Sequence, residues 1–165
     1  MKKFIMVLMS LLAVCLLGSC LYTASGTTIE GDITQEKVNA ALEQIYSTYR
    51  PQLDLTGAAE YTVVEGDTLA KITRAHYGNL KDVGDAGQEN GFYFAIIMTA
   101  TGDKIVDPDF IQPGMVLKIP DLKKNLNNGN SRQAIKDCTN DVAYVYNKKG
   151  DEGTEKGLRA LSYSL

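Results

Sequence analysis

The chain is poor in the residues that usually build catalytic or metal centres. It has one histidine and three cysteines in 165 residues. No basic stripe stands out against a net charge of −3, which argues against nucleic acid as a partner. No apolar run is long enough to cross a bilayer. The longest, Phe4–Leu17, is 14 residues interrupted only by Ser10, too short for a hydrocarbon core of about 30 Å. No internal repeat of either structural unit is visible. What remains is an ordinary globular composition, 44% apolar and 22% charged, enough for one modest domain with appendages.

The short apolar run has the form of a secretory leader, with Lys2 and Lys3 ahead of it and small residues at its end. That end reads Leu17-Gly18-Ser19-Cys20 and resembles a bacterial lipobox. The resemblance implies a signal peptide over 1–19, with acyl chains such as palmitate on Cys20 and cleavage before it. Cys15 is a poorer candidate, because Val14 before it is branched. Loss of Lys2 and Lys3 takes the charge from −3 to −5, so anionic lipid offers no attraction. Attachment would come from acyl chains, at about 0.8 kcal/mol per buried methylene. Leucine after Cys20 is compatible with sorting to an outer membrane facing the periplasm. Cys138 is then the one thiol left. It excludes an internal disulfide and, with a single His76, a Cys/His zinc site. We expect no cofactor.

Residues 20–31 are small and polar and read as a tether. A helix is expected over 32–50, with Asp32 or Thr34 as cap, Val38, Leu42, Ile45 and Tyr49 on one face, and Pro51 ending it. Tyr61–Val64 reads as a strand and Thr68–Tyr77 as a helix stopped by Gly78, with Leu69, Ile72 and His76 sharing a face. Asn79–Gly91 is a glycine-rich loop. Phe92–Thr101 is an apolar helix, "DPDFIQPG" two turns, and Met115–Ile119 a second strand closed by Pro120. Leu122–Asn130 reads as a linker. Two helices follow over 131–165, lined by Ile135, Cys138, Val142 and Val145 and then by Leu158, Leu161 and Leu165. Their short connection predicts an antiparallel hairpin.

The middle of the chain, 60–121, carries two linked signatures. Tyr61-Thr62-Val63, Gly66-Asp67-Thr68-Leu69, Ile72 and Tyr77-Gly78 form the first. Ile105, Asp107-Pro108, Ile111, Pro113-Gly114, Leu117 and Ile119-Pro120 form the second. Together they resemble the LysM module. The resemblance implies an α+β fold: a βααβ unit with a two-stranded antiparallel sheet and two helices on one face, flanked here by an N-terminal helix and a C-terminal hairpin. It also implies non-covalent binding of N-acetylglucosamine-containing glycan, peptidoglycan or chitin, without catalysis. Carried over, one wall of the groove is Gly66, Asp67, Thr68 and Leu69, and the other is Ala100, Thr101, Gly102 and Ile105.

The residues themselves suit that role. Gly66 permits a sharp turn and close approach, and a capped helix start offers N–H groups to an acetamido oxygen. The same Asp67 and Thr68 would serve as caps in a protein that bound nothing, and Leu69 and Ile105 as core. Two departures stand out. Thr101 occupies a position where the family usually has Asn, and the Asn79–Gly91 loop is long. A wall-cutting enzyme is disfavoured: the 45 residues after Pro120 are too few for a typical catalytic domain, and no second His sits near Cys138. The sequence therefore predicts a membrane-anchored envelope lipoprotein that holds peptidoglycan. The alternatives are an envelope scaffold whose hairpin recruits a protein, or an accessory subunit for a separate hydrolase.

Overall fold

The structure, a computed structural model, describes residues 27, 29–78 and 90–165. The leader over 1–19, Cys15, Cys20 and residues 79–89 of the long loop lie outside the described residues.

Helix α1, Gln35–Tyr49, starts at Thr34, whose hydroxyl accepts from the Lys37 amide. Thr34 rather than Asp32 is thus the cap. Val38, Leu42, Ile45 and Tyr49 are all buried, as the helical spacing predicts. Pro51 does not stop the chain dead. It sits in a single 3₁₀ turn, Arg50–Gln52, where its missing N–H is not needed.

Strand β1, Ala59–Thr62, and strand β2, Val116–Ile119, pair antiparallel with Ala59 opposite Ile119 and Thr62 opposite Val116. β1 lies two residues earlier than the sequence suggested. Val63 remains buried at 2% exposure because its backbone continues the pairing irregularly: its N–H donates to Met115 O, and its carbonyl accepts from Gly114 N, both at 2.8 Å. Helix α2, Leu69–Tyr77, buries Leu69, Ile72, Thr73 and Tyr77. His76 falls off that face. It is exposed and meets the Tyr61 ring edge-on at 5.6 Å. The predicted shared face thus turns by one position, toward Thr73, whose hydroxyl donates back to Leu69 O and needs no solvent.

A 3₁₀ turn at Asn90–Tyr93 leads into helix α3, Phe94–Thr101. All eight α3 residues are buried, which explains a sequence apolar on every side. α3 packs against β2, α2 and α1 and forms the centre of the molecule.

The expected linker at Leu122–Asn130 is instead helical. Helix α4, Leu122–Asn127, is capped by Asp121, and helix α5, Gly129–Lys149, by Asn128. The Asn-rich composition that reads as a loop supplies caps and one buried anchor. Asn125 donates to Asp54 O and Asp121 O and accepts from Asp54 N, all within 2.9 Å.

Gly150, at φ +79°, ends α5, and Asp151 caps helix α6, Glu152–Ser164. Contacts pair Lys136 with Ser162, Asn140 with Arg159, and Arg132 with Leu165, so α5 and α6 run antiparallel. The hairpin packs on α1, α3 and α4, sharing one core with the rest of the chain.

Residues 27 and 29 do not belong to a free tether. Thr27 and Ile29 are buried. The Thr27 hydroxyl donates to Asp141, and the Ile29 N–H to the Tyr144 hydroxyl at 3.1 Å, so the chain entering α1 is laid along α5.

Candidate glycan-binding site

The register of the sheet brings two loops to one end. β1 leaves at Thr62 beside Val116, where β2 begins. The loop following β1 (63–68) therefore meets the last residues of the loop entering β2 (102–115), as the Val63–Gly114 and Val63–Met115 bonds show.

The first loop is held by its own side chains. Asp67 Oδ2 accepts from Val64 N at 2.9 Å and from the Tyr61 hydroxyl at 2.8 Å. The donated Val64 N–H, and next the Tyr61 hydroxyl, keep its carboxyl below the ordinary Asp value of 3.8. Asp67 therefore fixes the turn, and Thr68 is the residue that caps α2, accepting from Lys71 N at 3.2 Å. Gly66 takes φ +83°, which a side chain would disfavour. Its carbonyl accepts from the Lys71 ammonium at 2.8 Å. Gly66 and Thr68 are exposed and Asp67 is half-buried.

Leu69 is different. At 3% exposure it belongs to the core. Leu69→Ala is expected to cost about 2–5 kcal/mol in urea denaturation, as for other buried leucines. A cost below about 0.5 kcal/mol would place that side chain at the surface.

The second predicted wall lies deeper than the first. Ala100 and Ile105 are fully buried, Thr101 is 3% exposed, and Gly102 is buried. The Thr101 hydroxyl accepts from Lys118 N at 2.9 Å, satisfying β2 on the edge away from β1. An Asn there is not required for that task. The Ile105 carbonyl accepts from the buried Tyr46 hydroxyl of α1 at 2.9 Å. The Arg50 guanidinium lies across Gly102, with Nη1 3.1 Å from where a Cβ would stand. Helix α1 thus roofs the second wall, and the side chains of Ala100, Thr101 and Ile105 face the interior. Sequence spacing on the βααβ unit could not show this, because the roof comes from outside it.

What this end presents to solvent is Val64, Glu65, Gly66 and Thr68 from the first loop, and Val106, Phe110 and Gln112–Gly114 from the second. Phe110 is 75% exposed, Val106 57% and Val64 56%. Reading "DPDFIQPG" as two turns around Phe110 and Ile111 did not show that Phe110 faces solvent. The second loop is braced from behind. Lys149 of α5 pairs with Asp107 at 3.3 Å and with Asp109, the Tyr146 hydroxyl donates to Asp109 at 2.7 Å, and Gln35 of α1 reaches Asp107 at 3.4 Å.

Cys138 packs inside, 3.0 Å from the Thr99 hydroxyl, and burial pushes its thiol up to about 12, which leaves it unreactive. Among the described residues no cluster of His, Cys, Asp and Glu could hold a metal, and no helix is long and apolar enough to cross a membrane.

A two-stranded antiparallel sheet with helices around it, two loops meeting at one end and an exposed aromatic beside them make up a small α+β module. Residues 61–120 match the family described as LysM domain. LysM domains generally bind N-acetylglucosamine-containing glycans such as peptidoglycan and are not catalysts. No curated protein and no solved structure matches the chain.

Proposed function

We propose that the protein is a lipid-anchored envelope protein that holds peptidoglycan non-covalently through its LysM domain. The observation that carries this reading is the meeting of the two loops at one end of the sheet, within a segment that matches a glycan-binding family. Gly66, Asp67 and Thr68 form the first wall, with Leu69 supporting it from the core. Ala100, Thr101, Gly102 and Ile105 support the second wall from behind, and Phe110 offers a face on which a sugar ring can stack. Acyl chains at Cys20 would hold the module at a membrane, with the outer membrane facing the periplasm as the preferred site. A single module binds weakly, about micromolar to millimolar, and confinement near a repeating polymer compensates by raising effective concentration.

The full chain in detergent should co-sediment with isolated sacculi. The Asp67→Ala, Thr68→Ala double variant should bind at least about fivefold less, because the turn loses its brace and α2 its cap, while keeping a native circular dichroism spectrum. Equal binding by the variant would remove the first loop from the site. Because the Asp67 carboxyl sits below its ordinary value in the fold, its contribution is present at neutral pH. It is lost only as pH falls through that lowered value, and the Val64 amide resonance should report a midpoint below 3.8. In cells, Cys20→Ser should move the protein out of the membrane fraction.

The scaffold reading is less favoured. The α5–α6 hairpin spends its apolar faces on α1, α3 and α4, which leaves Tyr163, 78% exposed, as its one large exposed hydrophobic among the described residues.

A further inference from the structure

Between α1 and the second loop lies a cavity of about 320 Å³, lined by Glu43, Tyr46, Ser47, Arg50, Pro51, Gly102 and Asp103. It falls at the small end of ligand pockets. Glu43, Ser47 and Arg50 stand four and three residues apart and share one helix face, with Glu43 and Arg50 separated by about 10 Å of rise. A carboxylate therefore marks one end of the wall, a hydroxyl its middle and a guanidinium the other end, with a second carboxylate, Asp103, on the facing loop. None of Glu43, Arg50 and Asp103 makes a side-chain ion pair or hydrogen bond among the described residues. Most other charges near the loops are spent internally, as in Lys149 with Asp107 and Lys71 with Gly66. Arg50 is nonetheless positioned, because Gly102 has no Cβ to displace its guanidinium.

We propose that this cavity binds the zwitterionic stem peptide branching from a wall glycan, with a peptide carboxylate on Arg50 and an amino group on Glu43 and Asp103. The proposal rests on the wall-glycan reading above and deepens it. The loop rim takes the sugar, and α1, outside the LysM domain, takes the peptide. A planar guanidinium accepts a carboxylate in two parallel hydrogen bonds, while opposed charges at the two ends of the wall fix the orientation of a ligand bearing both signs. Chitin carries no such peptide, so the same pair of subsites would favour bacterial wall over chitin.

The test is calorimetric titration of the full chain in detergent with three probes: a disaccharide carrying its tetrapeptide, the N-acetylglucosamine disaccharide without peptide, and the free tetrapeptide. The peptide-bearing disaccharide should bind about tenfold tighter than the bare one. Arg50→Gln should abolish that advantage, so that the two disaccharides bind alike. Glu43→Gln, at an exposed helix position, should reduce the advantage as well, and it carries the test if Arg50→Gln disturbs folding. Equal binding of the two disaccharides, or an advantage that survives both substitutions, overturns the proposal while leaving glycan binding intact. Arg50-dependent binding of the free tetrapeptide with no binding of the bare sugar would instead sustain the pocket and remove the sugar reading.

Discussion

Ile97→Ala is expected to lower the unfolding free energy by about 2–5 kcal/mol. The side chain is fully buried in α3, every residue of which is buried, so no neighbouring element can relax toward solvent to fill the space. β2 packs on one side of the helix, α2 on another, and α1 and α5 close the remainder. A hole there lies between the LysM domain and both helical flanks at once. Urea melts of the variant should show a lower midpoint with an unchanged slope, the signature of lost stability without a change in surface exposed. Loss of cooperativity, with the flanks melting separately from the domain, would show that the shared core does not hold the parts together.

Gly102→Ala is expected to cost about 2–4 kcal/mol, well beyond the usual gain from removing a glycine. Two effects add. Gly102 ends α3 at φ +75° and ψ −139°, a region that L side chains scarcely populate. A methyl group would also lie 3.1 Å from Arg50 Nη1, so the guanidinium would have to give way by a few tenths of an ångström. Thermal melting checks the stability. A variant as stable as the parent would mean that the backbone at this position can leave the positive-φ region.

The contrast between these two sites and the first loop shows where sequence reading succeeds. Leu69, Ile72, Leu117 and Ile119 sit where their periodicity puts them, because a helix or strand packed on one neighbour has only one apolar side to hide. The meeting of the two loops follows from antiparallel pairing of β1 with β2. Three things were not legible. α4 was hidden because Asp121, Asn125 and Asn128 belong to the residue types that also make loops, and the capping by Asp121 and Asn128 and the anchoring by Asn125 depend on which backbone groups they meet. The exposure of Phe110 depends on how two turns fold against each other. The burial of the second wall depends on α1 and the turn after it, fifty to sixty residues earlier in the chain, from which Tyr46 reaches Ile105 and Arg50 reaches Gly102. Local pattern carries no information about a contact of that sequence separation.

The seating of Thr27 and Ile29 on α5 has a geometric consequence for the proposed attachment. Only seven peptide steps separate Cys20 from Thr27, a reach of about 25 Å even when fully drawn out. An acylated chain would therefore ride low over the lipid headgroups, with its α5 flank nearest them. Its range for catching glycan would be set by the dimensions of the folded body rather than by the swing of a long leash. Lengthening that stalk by some twenty Gly/Ser residues is the change that would let it capture strands held farther off.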